Sequence, residues 1–469
     1  MQQTNAEYQK LNTLSMTQRV ASYWAQCTLD NLSEDVVTMV QHRLLDTLAA
    51  GVAGVDAEET DLVRKGMLAV HGRHCTSPQR AILWGTDVTM PAPQAALVNG
   101  TAAHARELDD FDGCGHTGAV VVPAVSAVAQ ACGADGATVI TAVAAGYDLA
   151  GRMLNAAGGY RPHNGLGWHS TATCGTFGAA LAAARVLGLN AAQTAHALGI
   201  AGSYMGGVWA FMQDGAMTKR MHPGKAAETG VTAAYLAQAG MTGPQFILES
   251  QWGGFFATYC GTHAKPELLL KDLGQSNAIV LTGIKPYACC RGSHPGIDAM
   301  VQLRDKHGLR IEEIARIDVH CAPHVAKLVG GTRINNVLEA QMSMPYALAV
   351  TALTGRADLP QFTHLQMGHS EVARVVQNTT LHPDLPADST CGPLVQVHCH
   401  DGRTMQAQVD FAKGHPRNPV TDRELRAKAA SLIVPQMGQA RFTALEQAVD
   451  QLSGSSSFAR LAGLLQPVA

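Results

Sequence analysis

From Met16 onward the apolar positions recur at three- and four-residue spacing. Val20, Tyr23 and Trp24 lead into Val36-Val37, Val40, Leu44-Leu45, Leu48 and Val52, a pattern that predicts amphipathic helices. Leu45-Asp46-Thr47-Leu48-Ala49-Ala50-Gly51 reads as the well-buried part of one of them. Ala92 to Ala105 continues the theme, and Ala119 to Ala134, Ala137 to Leu154, Ser170 to Leu187, Ala191 to Met205 and Ala226 to Ala239 are predicted helices rich in Ala and Gly. Small side chains let helix axes approach closely, so this series, with few alternating β-branched runs, predicts an all-helical domain. The absence of a repeat at about 20 to 50 residues argues against a solenoid. Residues 1 to about 15 are polar and read as a loose arm or dimer-wrapping tail.

Near Ile279 the texture changes. Ile279-Val-Leu-Thr-Gly283 looks like a strand, Ile317-Asp-Val-His-Cys321 alternates, and Leu394 to Cys399 is followed by Asp401-Gly402 and then Met405 to Val409. An Asp-Gly pair between alternating segments predicts a hairpin. Helices are expected over Gly296 to His307 and Met342 to Leu353. These elements predict a second, α+β domain over residues 284–412, while 1–283 and 413–469 are helical. In the last segment the helices fall at Glu424 to Ile433, Ala440 to Leu452 and Ser457 to Leu465, with Thr421 and Glu424 spaced as a capping box. The fold class expected is mainly α, with a large helical domain that is discontinuous in sequence.

Composition narrows the function. With 34 basic and 37 acidic residues the net charge is −3, which gives no reason to expect a nucleic acid or an anionic membrane as partner. The longest apolar run, Ala119 to Cys132, is broken by Pro123, Ser126 and Gln130 and is short for a membrane span. Eleven cysteines occur without any C-x-x-C pair, so the spacing of a zinc or iron–sulfur site is missing and no metal or cofactor is expected. An odd cysteine count and a polar N-terminus without an apolar core predict reduced thiols and a cytoplasmic location.

Against this weakly charged background, polar residues gather in four places. The first is His104 with Glu107, Asp109 and Asp110, followed by His116; carboxylates and a Gly-flanked imidazole can supply a base and an acid, or hold a metal, and acid–base work is favoured because no tight ligand triad is visible. The second is Trp168-His169-Ser170-Thr171, where Trp168 could wall a site, His169 could donate a proton and the hydroxyls could cap a helix. The third is Thr218-Lys219-Arg-Met-His222, read as the approach to a helix starting near Ala226, where a cation and an imidazole could meet an anion. The fourth is Lys285 to His294, which includes Arg291 and lies at the expected domain junction, where ligand pockets tend to occur. Three cations, Lys219, Lys285 and Arg291, in apolar surroundings imply an anionic ligand.

The chain resembles the MmgE/PrpD family, which includes 2-methylcitrate dehydratase, cis-aconitate decarboxylase and iminodisuccinate epimerase. The matching stretches are Leu45-Asp-Thr-Leu-Ala-Ala-Gly, Asn99-Gly-Thr-Ala-Ala-His-Ala, His116-Thr-Gly-Ala-Val, Gly167-Trp-His-Ser-Thr, Thr218-Lys-Arg-Met-His-Pro-Gly, Lys285-Pro-Tyr and Ser343-Met-Pro-Tyr346. The resemblance implies a helical domain built from both chain ends, a smaller α+β lid, a homodimer with its cleft between the domains, and metal-free chemistry on small polycarboxylates. Asp109, Asp110, His116, His169, Lys219, His222 and Lys285 are thereby catalytic candidates; Glu107, Trp168, Arg291 and His294 are candidates for substrate binding. Two departures stand out: Glu107-Leu-Asp-Asp110 replaces Asp-Phe-Asp-Asp, and Cys290 replaces the second active-site His of decarboxylase-like members.

The expected activity is a lyase on a citrate-like di- or tricarboxylate, first of all a dehydratase. The cations would stabilise an enediolate while His116 or Asp109 takes a proton and His169 or His222 protonates the leaving hydroxyl. Decarboxylation and epimerisation share the same intermediate and stay open, as does an inactive carboxylate-binding homologue.

Overall fold

The computed structural model describes residues 14–73, 75–389 and 391–467; the predicted arm, up to residue 13, lies outside them. The main helices, in chain order, are α1 (Met16–Gln26), α2 (Glu34–Ala53), α3 (Glu58–His71), α4 (Ala92–Ala105), α5 (Thr117–Cys132), α6 (Gly136–Ala156), α7 (Tyr160–Gly165), α8 (Ser170–Val186), α9 (Ala191–Tyr204), α10 (Thr218–Gln238), α11 (His294–His307), α12 (Met344–Thr354), α13 (Ser370–Gln377), α14 (Asp422–Met437) and α15 (Gln439–Asp450). The fold is mainly α. The chain forms two compact units, one of Met1–Ala105, Asp109–Thr282 and Asp422–Ala469, the other of Arg106–Leu108 and Gly283–Thr421.

In the helical unit, local sequence sets where helices begin. Ser33 Oγ accepts the Val36 amide at the start of α2, Asp135 the Thr138 amide at α6, and Asn190 with Gln193 forms a capping box on α9, so donors left over at helix starts are satisfied. Small residues then set how close helices come. A Cβ at Gly100 on α4 would stand 2.6 Å from Gly224 Cα on α10 and 2.8 Å from the Ala119 carbonyl on α5, and one at Gly178 on α8 would stand 2.6 Å from the Gly146 carbonyl on α6. Backbones therefore touch where side chains would otherwise hold them apart. The C-terminal helices close this unit: Lys428 on α14 donates to Asp46 on α2 at 2.6 Å, a pair that is almost fully buried.

Two readings of the sequence are corrected here. Ile279 to Gly283 is not a strand: Ala278–Leu281 is a 3-10 turn, and only Gly283–Ile284 is extended. Asn277 Oδ1 accepts the Ile279 amide at 3.0 Å and Thr282 Oγ1 donates to the Ile279 carbonyl at 2.7 Å, so flanking polar side chains curl a run whose β-branched composition favours extension. Helix α10 starts at Thr218, not near Ala226, and contains Pro223. A proline forfeits one i→i−4 bond, and α10 accommodates that loss instead of stopping, which moves Lys219 and His222 from a loop onto the first turns of the helix.

The second unit contains a four-stranded sheet of β3 (Ile314–His320), β4 (Thr379–His382), β5 (Leu394–Cys399) and β6 (Thr404–Gln408), the pair Arg80–Ile82 and Thr89–Pro91 being β1 and β2 of the helical unit. The order is β4-β3-β5-β6, with β3 parallel to β4 and the remaining neighbours antiparallel. Ile317, Val319, Val395, Val397 and Met405 form its buried face, against which α11 and α13 contribute contacts. The hairpin expected at Asp401-Gly402 joins β5 to β6, with Gly402 at φ 88°, a conformation open to glycine at little cost.

Candidate active site

Three helix starts and one helix end in the helical unit carry the ionisable residues. His104 is the only ionisable side chain on α4 and sits in its last turn; His116 and His169 are the residues that cap α5 and α8; Lys219 and His222 lie on the first turns of α10. Neither His116 nor His169 makes a capping hydrogen bond with its side chain. Other side chains take over the capping: Asp110 accepts the Gly118 amide at the start of α5 and Asn164 the Ser170 amide at the start of α8, which satisfies helix-start donors and leaves both imidazoles to other partners.

The first group centres on Asp109, which is fully buried. Its Oδ2 lies 3.0 Å from His104 Nδ1 and 2.8 Å from His116 Nδ1, and the two rings are 4.2 Å apart. The His104 contact is a hydrogen bond, whereas the His116 contact is a close ion-pair approach without hydrogen-bond alignment. Burial pushes the His104 imidazole well below its ordinary range, opposed by Asp109. One donor atom from each of these three residues falls within 4.8 Å of the others. Their mutual separations of 2.8 and 3.0 Å are hydrogen-bonding distances, tighter than the roughly 3.3 Å between ligands of a tetrahedral zinc. As they stand, these donors are packed more closely than the ligands of a bound zinc.

Asp110 is also fully buried and does something different. Its Oδ1 accepts the Gly118 amide at 2.9 Å and its Oδ2 accepts the Tyr147 hydroxyl at 2.7 Å. Burial, then the neighbouring Asp109 charge, raises it to about 6. Through Gly118 it secures the start of α5 directly after His116, which makes it a group that positions the imidazole. Behind His116, Gly115 adopts φ 124°, and a Cβ there would stand 2.5 Å from Thr171 Oγ1; the buried Thr171 hydroxyl has no hydrogen-bond partner among the described residues.

The second group is a pair of imidazoles. His169 Nδ1 and His222 Nδ1 are 2.9 Å apart, and the His169 ring lies 6.3 Å from that of His116. Burial pushes His169 well below the usual histidine range, with the charges of the neighbouring histidines adding to the effect; His222 is lowered to about 4 by burial and then by Lys219. Lys219 is itself almost fully buried. The ring that packs edge-on against His169 at 5.1 Å belongs to Trp209, whose Nε1 donates to Asn164 Oδ1 at 2.7 Å. Trp168 turns away and packs on Tyr259 at 4.7 Å. The antiparallel bridge between Trp168 and Val208 sets this alternation, because successive side chains of an extended segment point to opposite sides.

Lys285 and Glu107 belong to the second unit. Lys285 Nζ donates to Glu107 Oε2 at 2.9 Å, with both side chains at most 1% exposed. Glu107 has φ 53°, a left-handed conformation that costs a residue other than glycine about 1–3 kcal/mol. Gln341 Nε2 donates to the Arg106 and Ala288 carbonyls at 3.0 and 2.9 Å, tying the segment that carries Glu107 to the one that follows Lys285. Arg291 is half-buried in a 3-10 turn; His294 is buried, with Nε2 3.2 Å from the Cys289 carbonyl and its ring edge-on to Tyr287.

The structure thus gathers Asp109, His116, His169, Lys219 and His222 in the helical unit, with Asp110 behind them and Trp168 facing elsewhere. Sequence reasoning did not single out Tyr147 or Trp209, and it mentioned His104 without choosing it. A lone ionisable residue on the otherwise uncharged helix Ala92–Ala105 was the available signal. Nothing in the local pattern marks Tyr147, which reads as a core position of α6.

Residues 18–267 match the MmgE/PrpD N-terminal domain and residues 287–451 the MmgE/PrpD C-terminal domain. A cis-aconitate decarboxylase-like protein, oryM, of Aspergillus oryzae is 26% identical, covering 96% of this chain and 97% of its own. Human cis-aconitate decarboxylase is 27% identical over 88% of this chain and 87% of its own, and that of Aspergillus terreus 25% identical over 96% of both. With both domain models matched along most of its length, the chain belongs to the MmgE/PrpD family.

Proposed function

We propose that the protein is a lyase acting on a small citrate-like tricarboxylate, and that it cleaves a carbon–carbon bond by decarboxylation. The observation that carries this reading is the presence, in one unit, of a carboxylate-backed imidazole (Asp109–His116) and an imidazole pair (His169–His222) whose facing rings are 6.3 Å apart, beside the buried cation Lys219. The near full-length similarity to relatives named cis-aconitate decarboxylases supports it.

In cis-aconitate the CH2–COO⁻ group is attached to the alkene. Breaking its C–C bond releases CO2 and leaves the electron pair on an allyl system conjugated with a carboxylate. A proton added at the far carbon completes the reaction, so each turnover consumes one proton. Lys219 stabilises the developing negative charge, and such a fixed cation counts for more in a water-poor site than in bulk. His169 or His116 supplies the proton, and general acid catalysis of this kind contributes about 10²–10⁴-fold.

Dehydration of a citrate-like substrate is the second reading, favoured by Cys290, which stands where decarboxylase-like members carry a histidine. The proposal includes a homodimeric, cytoplasmic enzyme that works without metal or organic cofactor. The exposed Tyr204, Val208, Met212 and Met217 of the helical unit are apolar surface suited to a second copy, and no helix among the described residues is long and apolar enough to cross a membrane.

The test is proton NMR of the protein with cis-aconitate, 2-methylcitrate, citrate and iminodisuccinate in deuterated buffer containing EDTA. Loss of cis-aconitate with a new, singly deuterated alkene supports decarboxylation. A vinylic product from citrate or 2-methylcitrate moves the assignment to dehydration. No change in any signal sinks the lyase reading for these substrates, and chelator-sensitive turnover sinks the metal-free part.

A further inference from the structure

An Nδ1–Nδ1 contact of 2.9 Å between two histidines has a definite chemical consequence. Two bare nitrogens, or two N–H groups, would repel at that distance, so one proton must bridge the pair, carried by one ring and accepted by the other. The position of the bridge decides what each ring offers at its other nitrogen. When His222 carries the bridging proton, neutral His169 is the Nε2–H tautomer, a donor. When His169 carries it, His169 Nε2 is bare, a base, and His222 Nε2 holds the hydrogen.

We propose that His169 and His222 act as one tautomeric unit, in which a proton leaving His169 Nε2 is matched by a proton taken up at His222 Nε2, so that His169 switches between acid and base with neither ring becoming charged. The inference rests on the lyase reading above for the identity of the reaction, and on the pair's own geometry for the switch. His222 is on this account a positioning residue that acts through His169.

The proton count closes. As the carbon of the substrate takes the proton from His169 Nε2, the bridging proton moves from His222 Nδ1 to His169 Nδ1, and water protonates His222 Nε2. The pair stays neutral throughout, and the product holds the proton that solvent supplied. After product departs, water protonates His169 Nε2, the bridge shifts back and His222 Nε2 releases its proton. No oxidant, reductant or other co-reactant enters.

The surroundings favour this route over an ordinary imidazolium. His169 is 2% exposed, ringed by Trp209 at 5.1 Å and Phe211 at 5.6 Å, and Lys219 adds positive charge on the same helix as His222. A cation on His169 would be expensive there. The outer ring, His222, is only partly buried, so its far nitrogen reaches water while substrate covers His169 Nε2, which water meets only after product leaves. The backbone holds the two rings in register: the His169 amide donates to the Gly207 carbonyl at 3.0 Å, and Gly207, at φ 153°, lets this segment lie against α8, where a Cβ would stand 2.5 Å from that of Ala172, and beside the His222 ring.

The test is His222→Gln. Glutamine can still hydrogen-bond His169 Nδ1 but has no second nitrogen through which to exchange a proton. The expected result is a fall of about 100-fold in kcat with KM little changed, and in His222→Gly, which vacates the ring's place, a loss partly restored by added imidazole at tens of millimolar. A kcat equal to that of the unaltered protein, or a loss in His222→Gly that imidazole does not restore, overturns the proposal, since a merely structural role would not respond to imidazole. A measurement that needs no substrate reads the pair directly: ¹⁵N-histidine NMR of the unaltered protein at pH 7, with the two residues assigned through His169→Gln and His222→Gln. One protonated and one bare Nδ1 is the expected signature. Two Nε2–H tautomers facing each other, or an imidazolium, defeats the switch even if the enzyme is active. Failure of every polycarboxylate to turn over would defeat the lyase reading and leave the NMR result to judge the pair.

Discussion

Gly100→Ala should damage both stability and activity, and by different amounts. The added methyl carbon would stand 2.6 Å from Gly224 Cα and 2.8 Å from the Ala119 carbonyl, both backbone atoms of neighbouring helices. Contacts under 3 Å have to be relieved, and backbone cannot swing aside as a side chain does, so α10 and α5 must shift by a sizeable fraction of an ångström. Overpacking of this kind costs about 1–3 kcal/mol, with the upper end expected against backbone; the better helix propensity of alanine returns about 1 kcal/mol, leaving a net loss of about 2 kcal/mol. The activity loss is larger because of where the crossing sits. Gly100 is one helical turn before His104, Ala119 three residues after His116, and Gly224 two after His222. A shift here therefore misaligns three of the imidazoles together, and a misplacement of about 1 Å can cost roughly 100-fold in rate. Gly66→Ala on α3, where a Cβ would meet nothing within 4 Å, is the control and should stabilise by about 0.5–1 kcal/mol. Urea midpoints and kcat/KM of both variants measure this. If Gly100→Ala unfolds within 0.5 kcal/mol of the unaltered chain and keeps its turnover, the close crossing is not what sets the site.

Asp109→Asn removes the charge shared by His104 and His116 at 3.0 and 2.8 Å and should lower kcat/KM by about 10³–10⁴-fold, as loss of the orienting carboxylate does elsewhere, while circular dichroism stays unchanged; full activity would remove Asp109 from the chemistry. Glu107→Gln takes the carboxylate from a Lys285 that is 0% exposed and should cost roughly 3 kcal/mol in urea unfolding, much of it recovered by adding Lys285→Met; a loss below about 1 kcal/mol would show that the pair contributes little. Acid should weaken the fold between pH 6.5 and about 4. His163, 0% exposed, has its pKa lowered to about 4 by burial, so across that window the unfolded chain binds a proton that the native chain refuses, and stability falls as pH falls, by roughly 3 kcal/mol for this residue. The urea midpoint followed from pH 7 to 4.5 should drop less steeply in His163→Gln; an unchanged slope would refute the assignment.

Much of this protein was legible in one dimension. The three- and four-residue spacing of Leu44, Leu45, Leu48 and Val52, and the small-residue runs after Ala92, predict helices because helical periodicity and close packing leave local marks in a sequence. The Asp401-Gly402 hairpin was legible for the same reason. Errors arose where local composition lost to neighbouring polar groups or to tertiary contacts: the curled run at Ile279, held by Asn277 and Thr282, and the start of α10, which carries Pro223 inside the helix. The strand Thr379–His382 was not anticipated, since a four-residue parallel partner of β3 has too short a pattern to stand out.

The candidate site divides in the same way. The sequence by itself determined the residue types and the family motifs, because imidazoles, carboxylates and lysines in apolar surroundings are conspicuous before any folding is considered. Only the tertiary structure decided which of them meet. It joined His169 to His222 across 53 positions, separated the adjacent Asp109 and Asp110 into a shared carboxylate and a helix anchor, and set Trp209 instead of Trp168 against His169. Hydrogen bonds formed between distant segments, and the direction each side chain takes from a helix end, depend on how helices cross, and the crossings depend on backbone contacts such as Gly100 with Gly224, which no local pattern encodes.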